Sequence, residues 1–379
     1  MSHVPHPRPC GDFRTTYSND TSLFRTKVEG RIVYLGIAAL LISSFFLNDY
    51  YLSQMITIGI YGIAALGLNV LVGFTGQISL GHSAFFGFGA FASAWLNNTT
   101  GIPVFLCIPL AGLMTTAVGM IFGIPAARLK GLYLAIATLA SQFILQDFFS
   151  RADWFSGGAY GSAAEVVNFF GIDLDTDQSY FYLVLFWVVV SFLAVSNLRR
   201  SRDGRALVAI RDHYLSAEIM GINLTRYRIT SFGVSSFFAG IGGALYAHYL
   251  QYVSVEGFTI LLSIQFLAMI IIGGLGSVSG SLLGAAFILL LPQFMESSVA
   301  TFVEYFKIIE IWILSIFQEA ETALSIATEH ARTIEQGKAY IKEMSVGAVI
   351  ILFLIFEPEG LIHRWRLIRA SWKLYPFSH

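Results

Sequence analysis

Charged side chains are scarce in this sequence. Asp, Glu, Lys and Arg make up 12% of its 379 residues, whereas about a quarter of the residues of a soluble domain are charged. Hydrophobic residues make up 55%, and the mean hydropathy is +0.67. This balance excludes an ordinary soluble domain and predicts an all-α protein that crosses a lipid bilayer many times. The net charge of −1 gives no reason to expect a nucleic acid as a partner.

Cysteines are few, and the motifs of soluble enzymes are missing. Cys10 and Cys107 are too few for a disulfide framework or a metal site. The sequence has no G-x-x-x-x-G-K-[ST] phosphate loop, no H-E-x-x-H, no C-x-x-C and no G-x-S-x-G. No apolar run carries the central acid that an ion-driven carrier usually needs. We therefore expect no catalytic residue, metal or cofactor in this chain. If the chain transports a substrate, we expect the energy to come from another protein.

Apolar runs follow one another along the chain, and crossing a hydrocarbon core needs ~20 helical residues. They predict about ten membrane helices, at residues 32–48, 53–73, 82–97, 102–125, 131–150, 179–196, 227–250, 258–274, 280–298 and 344–357. The polar N-terminal segment 1–30 has no apolar core typical of a removable signal peptide, and we expect a cytoplasmic tail. The positive-inside rule then places the Arg-rich tail 358–379 on the cytoplasmic side as well.

Two longer segments lie outside these runs. Residues 151–178 mix glycines, acids and aromatics and predict an ordered external loop. Residues 299–343 are helical in pattern and charged in their second half. Reading part of them as an eleventh crossing would place the Arg-rich C-terminus outside, so we expect a helical insertion on the outer face. It separates the membrane core 31–298 from the last membrane helix 344–357.

Two glycine-rich breaks interrupt the chain at membrane depth. The first break runs from Gly73 to His82 and the second from Gly273 to Gly284. Unwound backbone at this depth is tolerated only where protein or a water-filled path covers it, so one reading is a translocation path. The other is close helix packing, for which the small-residue spacing of Gly276, Gly280 and Gly284 is typical. The candidate path residues are Gly73, Gly76, Gln77, Ser79, Gly81, His82, Gly273, Gly274, Gly276 and Ser277.

Four polar residues stand alone within apolar runs. They are Asn69, Gln142, His248 and Gln265. Each could line a path, but a lone amide or imidazole in a membrane helix is more often satisfied by a neighbouring helix or a backbone carbonyl.

The segment 197–226 is the longest charged stretch between two apolar runs. With the next two residues it holds seven of the 23 Lys and Arg residues. Its periodicity predicts a short amphipathic helix that begins near Gly204 and stops at Gly221. The helix would either lie on the lipid surface or dock into a cytoplasmic partner. Its predicted apolar face consists of Leu207, Ile210, Tyr214, Ala217 and Met220.

Four stretches in order resemble a known family: G-L-N-V-L-V-G-F-T-G-Q-I-S-L-G-H-S-A-F-F-G-F-G-A-F (67–91), A-A-R-L-K-G-L-Y-L-A-I-A-T-L-A (126–140), D-G-R-A-L-V-A-I-R-D-H-Y-L-S-A-E-I-M-G-I-N (203–223) and I-I-G-G-L-G-S-V-S-G-S-L-L-G-A (271–285). They are similar to permease subunits of branched-chain amino acid ABC importers, in the LivM-like branch. The similarity resumes with F-E-P-E-G-L at 356–361. The insertion 299–343 is longer than the family pattern.

The resemblance implies an all-helical permease of the bacterial inner membrane. It implies a second homologous permease subunit, two cytoplasmic ATPase subunits that bind ATP and Mg, and a periplasmic binding protein that largely selects the ligand. It also implies that the segment matching 203–223 meets the ATPases. The residues expected to couple to the ATPases are Arg205, Leu207, Ile210, Arg211, Tyr214, Ala217, Glu218 and Gly221.

Alternatives remain at this stage. Relatives that carry urea, short amides or carboxylic acids are alternatives for the substrate. A secondary transporter and a non-transporting scaffold or receptor are alternatives of a different class. The sequence does not fix the ligand, the resting conformation, or whether the second permease is a distinct chain.

Overall fold

The computed structural model describes residues 27–169, 172–294, 338–357 and 359–374. The helices in this part of the chain are α1 Lys27–Ser43, α2 Asp49–Asn69, α3 His82–Thr100, α4 Val104–Ala126, α5 Leu132–Arg151, α6 Asp153–Ser156, α7 Asp177–Arg200, α8 Arg202–Ile219, α9 Leu224–Leu250, α10 Ile260–Gly273, α11 Val278–Phe294, α12 Lys338–Phe356 and α13 Leu361–Leu374. The strands are β1 Ser162–Ala163, β2 Asn168–Phe169, β3 Ile172–Asp173 and β4 Tyr252–Val253.

The chain divides into two units, residues 1–285 with 359–379, and residues 286–358. In the first unit α9 is the central helix and packs against α2, α3 and α4. Small residues permit this packing: a Cβ added to Gly89 would lie 2.3 Å from the Cα of Gly240. Within the second unit the rings of Phe287 and Phe353 meet edge to face, with centroids 5.2 Å apart.

Six helical segments in the described residues are long and apolar enough to cross a membrane. They are Asp49–Phe74, Val104–Ala126, Leu132–Arg151, Asp177–Arg200, Leu224–Leu250 and Val255–Gly273. Six of the predicted crossings fall on them. The other four predicted crossings fall on α1, α3, α11 and α12, so the total of ten and the cytoplasmic placement of both termini stay predictions.

Helix α3 differs from the six apolar segments in being buried on nearly all sides. Nearly every residue from His82 to Asn97 is buried within the first unit. Because the helix packs against α4 and α9 rather than standing alone, it tolerates buried polar residues such as Ser83 and Ser93. A surrounding shell of protein explains why its own sequence is less apolar than that of a lipid-facing span.

The segment 151–178 is ordered in its described residues, as predicted. It contains α6 and three short strands, and β1 pairs with β4 so that Ser162 lies opposite Val253. The imidazole of His248 on α9 links this segment to α3. Its Nδ1 lies 2.7 Å from the carbonyl oxygen of Glu165, and its Nε2 lies 2.8 Å from Ser93 Oγ. His248 is therefore a structural crosslink that is satisfied by its neighbours.

Several predicted boundaries move. Helix α1 begins at Lys27, so the end of the predicted tail 1–30 is helical. Helix α12 begins at Lys338, so 338–343 belongs to the same helix as the predicted last span 344–357 and not to the insertion. The rest of the predicted insertion from 299 lies outside the described residues. The predicted basic tail 358–379 contains a helix, α13.

Candidate functional site

The N-terminus of α3 lies at the centre of a buried polar network. Its N-cap is Gly81, which has no side chain to cap the first amides. Side chains of other helices take that role instead. Ser263 Oγ of α10 accepts from the N–H of Ser83 at 2.9 Å, and Gln142 Oε1 of α5 accepts from the N–H of Ala84 at 3.0 Å. The N-terminus of α3 is thus capped by side chains of α5 and α10, and these bonds hold the three helices together.

Gln142 is the most highly connected side chain of this network. It is fully buried. Its Oε1 also accepts from Ser83 Oγ at 3.0 Å, and its Nε2 donates to the carbonyl of Phe258 at 2.8 Å, just before α10. His82 lies beside the network, and its Nε2 lies 2.8 Å from the carbonyl oxygen of Ala64 on α2. Both side chains are occupied by internal hydrogen bonds.

The first break begins inside a π-helical turn, Val70–Phe74, and is non-helical from residue 76 to the start of α3. The N–H of Gly76 donates to the carbonyl of Val72 at 3.0 Å. Gln77 is buried, and its Nε2 donates to the hydroxyls of Thr75 and Ser231 at 2.8 Å each. Its Oε1 has no hydrogen-bond partner among the described residues. Gln77 therefore ties the break to the start of α9 through one end of its amide.

The second break is shorter than the predicted 273–284: only residues 274–277 are non-helical, because α10 ends at Gly273 and α11 begins at Val278. This short link touches the first break. A Cβ added to Gly73 would lie 2.5 Å from the backbone nitrogen of Gly276. Asn69, the last residue of α2, ties this helix to the second break: its Oδ1 accepts from the N–H of Gly276 at 2.8 Å, and its Nδ2 donates to the carbonyl of Ser277 at 3.0 Å. The contact thus brings together residues that are more than 200 positions apart in sequence.

The chain before α13 packs on the same contact. A Cβ added to Gly360 would lie 2.5 Å from the backbone nitrogen of Gly274, and both glycines have positive φ, 78° and 109°. A side chain at either position would be strained and would push the two turns apart.

The candidate path residues are therefore brought together only in part. Gly73, Gly274, Gly276 and Ser277 meet at the contact of the two breaks. Ser79, Gly81 and His82 belong to the capping region of α3, and Ser79 is fully buried. The buried side chains among them are engaged in packing and hydrogen bonds, as the packing interpretation requires. Their role in a path stays a prediction.

Helix α8 covers most of the segment 197–226. Its N-cap is Ser201, whose Oγ accepts from the N–H of Gly204 at 3.0 Å, so Gly204 lies in the first turn and is not the entry to the helix. At its end, Ile222 N–H donates to the carbonyl of Ala217 at 3.0 Å and Gly221 N–H to that of Glu218 at 2.9 Å. This is a Schellman motif, with Gly221 at φ 86°. The predicted stop at Gly221 is confirmed.

The helix is not continuous. His213 has φ −151° and ψ 85°, which breaks α8 into a longer first segment and a short second one. The predicted single apolar face does not survive this kink, because residues on either side of it no longer follow one helical phase. Met220, for example, is 82% exposed although the pattern placed it with the buried Leu207.

The apolar face that the sequence assigned to a partner is mostly packed against the chain itself. Leu207, Ile210 and Ala217 are each 4% exposed. Tyr214 is partly exposed, with the Nζ of Lys130 3.8 Å from the centre of its ring. This corrects the predicted face as an exposed surface: three of its residues are buried against this chain, although Ala217 also lines the groove beside α8, and their role in coupling to an ATPase stays a prediction.

Other apolar side chains of α8 are exposed. Leu215, Ile219 and Met220 are 60%, 85% and 82% exposed, and we call them the apolar patch. Two of them stand four residues apart in sequence, on one face of the second segment. The four-residue spacing of Leu215 and Ile219 can be read from the sequence, but the assumption of one unbroken helix across the segment assigned the apolar face to other residues.

A groove of about 580 Å³ lies beside the apolar patch, between α8 and the start of α9. Its wall includes Arg202, Arg205, Asp212 and Met220. Arg205 donates Nη1 to the carbonyl of Arg200 at 2.9 Å. Glu218 is exposed, whereas Arg211 is only partly exposed and reaches the carbonyl of Gly73 in the first break. Charged rims around an apolar surface suit a protein partner.

A family model described as "Branched-chain amino acid transport system / permease component" matches residues 50–317. The chain is 35% identical over 261 residues to the high-affinity branched-chain amino acid transport system permease protein LivM of Salmonella typhimurium, a match that covers 62% of this chain and 61% of that protein. The chain thus spans less than two thirds of that relative's length.

Two further relatives extend the comparison. The probable branched-chain amino acid transport permease protein LivM of Methanocaldococcus jannaschii is 25% identical over 350 residues, covering 83% of this chain and 94% of that protein. The permease protein LivH of the Salmonella typhimurium system is 22% identical over 263 residues, covering 62% of this chain and 82% of that protein. No solved structure was found to match the chain.

Proposed function

The chain belongs to the family of permease components of branched-chain amino acid transport systems, and on that premise we propose that it is the transmembrane permease subunit of an ABC importer for branched-chain or related apolar amino acids. It is a multi-pass membrane protein, and its proposed place is the bacterial inner membrane. Two separate ATPase subunits bind ATP and Mg and supply the energy, since the sequence has no phosphate loop. A periplasmic binding protein delivers the ligand.

The observation that carries this proposal is the build of α8. It is a charged helix fixed to the chain by its buried face, and it leaves the apolar patch exposed beside a charged groove. A helix that only lay on lipid would need no such groove. We assign the apolar patch to contact with an ATPase subunit and the buried face to the transmission of its movement.

The second permease subunit is proposed on a separate observation. The chain resembles both LivM and LivH, two permease proteins named for the transport system of one organism, with higher identity to LivM. We therefore propose that the partner is a distinct homologous chain, and that the translocation path lies where the two chains face each other. The external segment with β1 and β4 is the proposed side for the binding protein.

Reconstitution tests the function. The chain is purified with its candidate second permease, ATPases and binding protein, placed in liposomes, and assayed for uptake of radiolabelled leucine with and without ATP. We expect uptake only with ATP and all subunits. If unlabelled urea, short amides or carboxylic acids inhibit uptake and unlabelled leucine does not, the substrate belongs to one of those classes. Uptake by the lone chain driven by an ion gradient would overturn the ABC assignment.

The apolar patch gives a sharper test. Ile219→Ser and Met220→Ser each remove an exposed side chain whose burial in an interface contributes about 1.5–3 kcal/mol. Each substitution should weaken ATPase binding by about tenfold or more without lowering the stability of the isolated chain. Ile42→Ser is the control, because Ile42 is 56% exposed and lies on a different helix, α1. Equal binding by all three variants would contradict the assignment.

A further inference from the structure

Arg211 is a charged residue of α8 that contacts the first break. Its Nη1 donates to the carbonyl of Gly73 at 2.6 Å, a contact between residues 138 positions apart. Its Nε donates to Asp212 Oδ1 at 2.9 Å, and its side chain is 38% exposed. The guanidinium thus has one edge on a neighbouring carboxylate and the other on the first break.

The guanidinium also lies against the second break. A Cβ added to Gly276 would come within 3.1 Å of Arg211 Nη1, and one added to Gly76 within 3.1 Å of Arg211 Cγ. Both glycines have positive φ, 77° and 70°. Because Arg211 Nη1 lies against both Gly73 and Gly276, a displacement of Arg211 acts on both breaks at once.

The kink at His213 separates the contact of Arg211 from the apolar patch. Arg211 lies near the end of the first segment of α8, and the apolar patch lies on the second, with His213 between them. Arg205, on the same first segment, donates Nη1 to the local carbonyl of Arg200 instead. Two arginines of one helix therefore make the same kind of bond, one within the local turn and one to the core.

We propose that Arg211 is the positioning residue through which movement of α8 reaches the two breaks, and that it is not a contact for the ATPase. The proposal rests on the proposed function for the source of the movement, but the linkage itself is a property of this chain. An arginine suits the place because its planar group donates to the carbonyl and the carboxylate together, which a lysine ammonium does not reproduce in that geometry.

Hydrogen–deuterium exchange of the intact chain in nanodiscs tests the linkage without any partner. In Arg211→Met the N–H groups of Gly76 and Gly276, which are hydrogen-bonded within the breaks, should exchange faster, on the order of tenfold. Arg205→Met, the matched control, should leave them unchanged. Unchanged exchange in Arg211→Met, or equal acceleration in both variants, overturns the proposal. If Arg211→Met does not fold, Arg211→Lys is measured, with a smaller acceleration at the same amides expected and no acceleration refuting the linkage.

The complete complex distinguishes positioning from docking. In liposomes, Arg211→Met should lose most of the ATP hydrolysis that loaded binding protein stimulates, while the affinity of the chain for the ATPases changes less than in Ile219→Ser, and Arg211→Lys should restore part of the stimulation. If Arg211→Met weakens ATPase binding as much as Ile219→Ser, Arg211 is a docking residue and the proposal is wrong. If the wild-type complex takes up no leucine, the proposed function fails, and the exchange result still decides the linkage.

Discussion

The structure allows the stability cost of removing the buried amide of Gln142 to be calculated. In Gln142→Leu the volume is nearly kept, but the N–H of Ala84 and the carbonyl of Phe258 lose their partners. Ser83 Oγ does not, because it also lies 2.7 Å from the carbonyl of Thr259. The substitution therefore leaves two buried backbone groups without a hydrogen bond.

Two independent routes give the magnitude. An unsatisfied buried group costs about 1–3 kcal/mol, so two cost about 2–6 kcal/mol. Hydrogen bonds between membrane helices average about 0.6 kcal/mol, and Gln142 takes part in four of them, two of them the bonds to Ala84 and Phe258, which gives about 2 kcal/mol. Both routes place the loss of unfolding free energy at about 2 kcal/mol or more.

Equilibrium unfolding by SDS in mixed micelles measures the effect. The control is Gln265→Leu, the same chemical change on α10 at a half-buried amide that makes no hydrogen bond with the described residues. The control should change the unfolding free energy by less than about 0.5 kcal/mol. If Gln142→Leu is no less stable than Gln265→Leu, the capping of α3 by other helices contributes nothing and the reasoning is refuted.

Two glycine substitutions and the variants described above complete the predictions. Gly89→Ala should lower the unfolding free energy by about 1–3 kcal/mol, because its Cβ would lie 2.3 Å from the Cα of Gly240 and backbone cannot yield as a side chain can; Gly36→Ala on α1, with nothing within 4 Å, should be neutral or stabilising by up to about 1 kcal/mol. The same SDS titration compares them, and equal effects would contradict the close packing of α3 on α9. Gly221→Ala meets no neighbour but forces a Cβ into the left-handed region at a cost of about 1–2 kcal/mol, so it should loosen the end of α8, seen as faster exchange of the Gly221 and Ile222 amides; unchanged exchange there would argue against the Schellman stop.

The elements that the sequence predicted well are those written in short stretches of residues. The apolar runs at 53–73 and 227–250 fall on long apolar helices, because length and composition are enough to predict a helix at membrane depth. The stop at Gly221 was equally local, since it depends on one residue that adopts positive φ.

The missed features depend on residues far apart in the chain. Asn69 and Gln142 stood in the sequence as lone amides, and nothing near them indicated that one ties the end of α2 to the second break and the other caps α3. The kink at His213 was missed because periodicity assumes one unbroken helical phase, and with it went the choice of which apolar residues are buried.

The sequence by itself determined that this chain is helical, apolar and broken at two glycine-rich points, because propensity and periodicity are properties of neighbouring residues. Only the tertiary structure decided that the breaks touch each other, that Arg211 lies on both, and that Leu207 is buried while Met220 is exposed. The physical reason is that satisfaction of a buried amide or carbonyl, and the burial of one helix face, depend on whichever element packs alongside.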